Sequence, residues 1–135
     1  MSELGHARHQ ARQRALELLY EASMKERSPE LIVSEQPLPP DPYVTTLLEA
    51  VGRHRVHAEA LISQQSHQWA LERIALLDRL IMTLALSELL LDEAPPVAVV
   101  LDEAVELAKT YSTDESPSFV NGVLSGCVPL LHDAF

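Results

Sequence analysis

Apolar residues recur along this chain at spacings of three and four, the period of a helix buried on one side. From Ala7 to Met24, the residues Ala7, Ala11, Ala15, Leu18, Leu19 and Ala22 make one such stripe. Arg8 and Arg12 share a side next to the stripe, toward the helix start, whereas Arg14 lies well round the cylinder. Ser28-Pro29-Glu30 then reads as a cap, a first-turn proline and a favourable acid, opening a short helix to about Ser34.

Four of the seven residues 36–42 are proline, so no helix continues through this connector. Asp41-Pro42 starts a long helix, roughly Tyr43 to Ser66, with Val44, Leu47, Leu48, Val51, Ala58, Leu61 and Ile62 as core candidates. Gly52 is a point where it bends or admits a close neighbour. Trp69, Leu71 and Ile74 are expected to anchor a short turn before the helix Ala75 to Leu91, whose near-continuous Leu and Ile content predicts burial on most sides. Pro95-Pro96 sets the next helix, Val97 to Tyr111, and Ser116-Pro117 starts the last one, which Pro129 bends or terminates.

The pattern predicts an all-α fold of about seven helical pieces in two subbundles, an N-terminal one at about residues 1–67 and a C-terminal one at about 68–135. Composition agrees. At 135 residues the chain suits one domain or two very small ones, and 47% hydrophobic residues with only 4% aromatics lean it toward Ala and Leu, which favour helix. The tetrapeptide LDEA at 91–94 and 101–104 is read as chance, since one copy ends a helix and the other lies inside one.

Cys127 is the single cysteine, which excludes a disulfide within the chain and favours a cytoplasmic setting and a buried thiol. His6, Arg8 and Arg12 stand where a secretory signal would be apolar, and Asp78, Arg79 and Glu88 interrupt the most apolar stretch, so neither secretion nor membrane insertion is expected.

The net charge of −10 argues against a nucleic-acid partner until its distribution is considered. Residues 1–16 hold three arginines against one glutamate, whereas everything after residue 27 holds five basic and sixteen acidic side chains. A small basic end on an acidic body suits RNA at one pole and a basic protein at another; a solvated acidic surface that only aids solubility is the plainer alternative.

Candidate chemistry is sparse. Gly5, Gly52, Gly122 and Gly126 form no phosphate-cradling loop. His54 and His57 have a spacing at which one metal could see both, but Arg53 and Arg55 flank them and no further ligand has suitable spacing, so no metal or other cofactor is expected. Carboxylate pairs such as Asp102 with Glu106, or Asp114 with Glu115, read as solvated helix acids, and no elbow motif frames a serine. No enzymatic activity is expected. Gly122 and Gly126, four apart, give the last helix a smooth face, for which tight packing inside the bundle is the expected cause.

What remains points to RNA. Arg8 and Arg12 can pair with phosphates, Tyr20 lies further along the same helix, and Tyr111 and Phe119 flank an acidic, serine-rich loop where they can stack on unpaired bases. Glu115 in that loop can accept hydrogen bonds from base amino and imino groups.

The motifs A-R-x-x-A-R-x-R-A-x-x-L-L-Y from Ala7, D-R-L-I-M-T-L-A-L-S-E-L-L from Asp78, V-V-L-D-E-A-V-E-L-A-K from Val99 and S-F-V-N-G-V-L from Ser118 resemble the NusB family of bacterial transcription antitermination factors over nearly the whole chain. The resemblance implies an all-helical domain that binds boxA RNA of ribosomal RNA leaders together with NusE, a basic small-subunit ribosomal protein, and joins an antitermination complex on RNA polymerase. It implies RNA contact by Arg8, His9, Arg12, Tyr20, Tyr111, Glu115 and Phe119. Asp78 matches an acidic position near the RNA and NusE surface. Two departures stand out: His9 and Gln10 occupy part of a denser basic run, and Ser87 replaces a central-helix aromatic. Relatives occur as monomers and as homodimers, and nothing in this sequence favours either. A helical adaptor that captures a basic protein without touching RNA itself is the alternative reading.

Overall fold

The computed structural model describes residues 2–67 and 70–133. Among them are six α-helices, α1 (Glu3–Lys25), α2 (Pro29–Ser34), α3 (Pro42–Gln65), α4 (Leu76–Leu89), α5 (Val97–Tyr111) and α6 (Ser116–Cys127), with 3-10 turns at Leu71–Arg73 and Val128–Leu130 and no strand. The all-α expectation holds, with six helices and two short turns where about seven helical pieces were predicted. Trp69, expected to help anchor the turn before α4, lies outside the described residues.

The chain divides into two compact units, residues 1–49 and 50–135, with the division inside α3, upstream of the one near residue 67 expected from the sequence. In the first unit, α1 starts where Ser2 Oγ accepts from the Gly5 amide at 2.9 Å. It ends at Glu26, whose left-handed φ of 54° closes the last turn through bonds to the Ala22 and Ser23 carbonyls. Ala11, Ala15, Leu18, Leu19 and Ala22 are buried as the stripe predicts, but Ala7 is exposed.

Ser28 Oγ caps α2 from the Leu31 amide, Pro29 occupies its first turn, and Ile32 is fully buried as α2 packs on α1. Arg27 grips both Glu35 oxygens at 2.6 and 2.9 Å, tying the start of α2 to its end. Asp41 Oδ1 accepts from the Tyr43 amide at 2.8 Å and so sets the start of α3 directly behind the proline connector.

In the second unit α4 is the centre of the core: every residue from Leu80 to Leu89 is buried. Each Leu or Ile side chain so enclosed contributes roughly 1.5–3 kcal/mol. α4 packs on α5 and α6, and α5 packs on α6. His57 Nε2 lies 2.8 Å from the Leu131 carbonyl, which can only accept, so this nitrogen carries the proton and ties α3 to the segment after the last turn.

The close-neighbour readings of Gly52 and Gly122 fail. A Cβ at Gly52 or Gly122 would meet nothing within 4 Å, so neither position exists for close packing. At Gly126 a Cβ would stand 2.5 Å from Gln65 Oε1, the tight approach having a side chain, not a backbone, on its far side.

Candidate functional site

The arginine-rich start of α1 is not three equivalent cations. Arg8 lays its guanidinium over the Tyr43 ring, with Cζ 3.6 Å from the ring centroid. At that distance the planar group stacks on the aromatic face, and its in-plane N–H donors take no part in the stack. Arg14 donates to Glu17 at 3.2 Å and to Gln36 at 2.8 Å. Arg12, which the resemblance places at the RNA, is 3% exposed and has a partner within the protein. A long side chain beside an apolar stripe can run inward or outward, and periodicity does not say which.

His9 is half-buried and holds partners of its own. Tyr20 is 39% exposed but stands twelve residues beyond Arg8, roughly 18 Å along the helix axis. α1 therefore does not bring Tyr20 beside Arg8. Sequence reasoning missed Tyr43; the available signal was an aromatic in the first turn of α3, immediately after the prolines.

In the second unit the remaining expected residues gather around the loop Ser112–Glu115. Ser112 Oγ donates to Asp78 Oδ1 at 2.6 Å, and Ser116 Oγ donates to Asp78 Oδ2 at 3.0 Å. Ser116 Oγ in turn accepts from the Thr113 amide at 3.2 Å, with Thr113 Oγ1 at 2.8 Å. α6 starts at Ser116 as read; Glu115 holds the cap position without a side-chain bond, and the serine hydroxyl turns to the Asp78 carboxylate. Asp78 is only 6% exposed. Both its oxygens accept from serines at the two ends of the loop that Tyr111 and Phe119 flank.

Glu115 is exposed, while Tyr111 and Phe119 are half-buried on either side of it. Thr113 and Asp114 complete an open acidic edge. Burial pushes the Cys127 thiol up to about 11, far from a reactive thiolate. Among the described residues, no helix is long and apolar enough to cross a membrane.

These features define an all-helical domain with a stacked arginine on one unit and an aromatic-flanked acidic loop on the other. The sequence model of the NusB family matches residues 9–129. A transcription antitermination protein NusB from Saccharopolyspora erythraea is 43% identical over 125 residues, covering 87% of this chain and 84% of the relative. The T. maritima NusB structure superposes with a TM-score of 0.81 at 27% identity, covering 90% of each chain. A structure of NusB and NusE in complex with double-stranded RNA shares the fold, with a TM-score of 0.78 at 23% identity over 93% of this chain and 98% of that one. The chain belongs to the NusB family of transcription antitermination factors.

Proposed function

We propose that this chain binds boxA RNA of ribosomal RNA leaders in single-stranded form, together with NusE, and joins the antitermination complex on RNA polymerase. The observation that carries the reading is Arg8: in a chain of net charge −10, its guanidinium is stacked on a ring with no carboxylate as partner among the described residues. Arg8, with His9 and Tyr20 on the same helix, forms the basic end of the RNA contact. Tyr111 and Phe119 supply stacking faces and Glu115 an acceptor for base donors. Arg12 and Asp78 support these contacts from inside the protein. The acidic body suits a basic ribosomal protein.

The test is a binding titration of boxA RNA and a scrambled RNA, with and without NusE, at two salt concentrations. The wild-type chain with NusE should prefer boxA. Arg8→Ala should weaken binding and make the salt dependence shallower by about 0.7 in log–log slope, the amount expected for one single-strand phosphate contact. An unchanged slope removes Arg8 from the RNA.

The engagement of Arg12 and Arg14 within the protein favours a second reading, an adaptor that captures a basic protein and leaves RNA to it. Its mark is NusE capture unaffected by Arg8→Ala, with no preference for boxA.

A further inference from the structure

We infer that Tyr43 is a positioning residue for RNA contact, holding the Arg8 guanidinium flat so that its N–H edge is presented to the transcript. The inference rests on the RNA-binding reading above. It begins with the proline connector, whose last step, the Asp41 carboxylate on the Tyr43 amide at 2.8 Å, fixes the first turn of α3 and with it the base of the ring. The ring lies against the guanidinium face at 3.6 Å from Cζ to centroid.

An arginine can be ordered by a carboxylate or by a ring, and the two have different consequences. Arg14, Arg27 and Arg55 are ordered by Glu17, Glu35 and Glu59, which occupy N–H donors and offset the positive charge. A ring covers only the face of the plane, leaving the charge and the in-plane donors for a phosphate. It also restricts the side chain before RNA arrives, which reduces the ordering that binding must impose. The flat stack needs a guanidinium, because an ammonium has no face to lay on the ring.

The experiment is RNA binding by the full chain with NusE, using boxA RNA, for Tyr43→Leu, Tyr43→Phe, Arg8→Lys, Arg8→Ala and the double variant Arg8→Ala/Tyr43→Leu, with thermal melts for each. Tyr43→Leu should weaken binding roughly three- to tenfold, as expected when the ordering of one arginine side chain is left to the binding step. Tyr43→Phe should bind as wild type, and Tyr43→Leu should add no further loss in the Arg8→Ala background. Arg8→Lys should weaken binding with the salt slope retained, a readout that stands even if Tyr43→Leu does not fold. Unchanged binding in Tyr43→Leu or Arg8→Lys, an equal loss in Tyr43→Phe, or a full Tyr43→Leu effect without Arg8 overturns the inference alone. Failure of the wild-type chain to bind boxA RNA with NusE present overturns the functional reading and the inference with it.

Discussion

Ser116 Oγ donates to Asp78 Oδ2 at 3.0 Å, joining the first turn of α6 to the first turn of α4. With Ser112 on the other oxygen at 2.6 Å, one buried carboxylate holds both ends of the loop between α5 and α6. Hydrogen bonds to a charged group are each worth about 1.5–3 kcal/mol, and a buried hydroxyl left without its acceptor adds a desolvation penalty. Asp78→Ala is therefore expected to lower unfolding free energy by about 2–4 kcal/mol. In a urea-unfolding double-mutant cycle with Ser116→Ala, the two losses should be clearly less than additive. Full additivity would mean that the pair does not act as a unit.

Arg8 and Arg12, equivalent by spacing, should separate in stability. Arg12 is 3% exposed and engaged, so Arg12→Ala removes a packed stem and leaves its partners behind, at a cost of about 2 kcal/mol or more. Arg8→Ala loses a ring contact and should cost no more than about 1 kcal/mol. Urea melts of the two variants decide the matter, and equal losses would contradict the division of roles.

Much of the fold was legible because this chain punctuates its helices. Ser28-Pro29, Asp41-Pro42, Pro95-Pro96 and Ser116-Pro117 mark starts that the structure reproduces within a residue or two, and α5 runs from Val97 to Tyr111 as read. The site was less legible because its decisive contacts link residues far apart in sequence. No local pattern says that Tyr43 meets Arg8, or that Ser116 answers Asp78 in preference to capping its own helix. Glycine spacing was misleading for the same reason: whether a Cβ has room depends on what lies opposite.

That room can be tested directly. A glycine in a helix interior costs roughly 0.5–1 kcal/mol relative to alanine unless its missing side chain admits a neighbour. Gly122 is exposed with open space around it, so Gly122→Ala should raise the melting temperature by about 2–5 °C. Gly126→Ala must displace the Gln65 side chain and should gain less or nothing. A calorimetric scan in which Gly126→Ala is the more stable variant would refute this account.

Acid should destabilise the protein partly through His54. Burial first, then Arg53, then His57, hold its pKa below the ordinary 6.5. The folded state therefore takes up the proton less readily than the unfolded chain. The contribution to stability is complete above about pH 6.5 and is lost as pH falls through the lower folded value. His54→Gln should lose less stability than wild type in urea melts taken from about pH 7.5 down to about pH 5. Parallel pH profiles would exclude His54 as a source of the acid sensitivity.

Ser87 stands where the NusB resemblance implies an aromatic, in the middle of the fully buried run of α4. It is 0% exposed, and its hydroxyl has no hydrogen-bond partner among the described residues. A hydroxyl taken out of water without a partner opposes folding, whereas a methyl in its place does not. Ser87→Ala is thus expected to leave stability unchanged or raise it by up to about 1 kcal/mol. Restoring bulk should do the opposite. α4 is enclosed on every side at this level, and Ser87→Tyr would force its neighbours off their rotamers at a cost of about 1–3 kcal/mol. Urea unfolding of the two variants measures both effects. A destabilised Ser87→Ala would reveal a bonded hydroxyl, and a stabilised Ser87→Tyr would reveal unfilled space in the core beside α4.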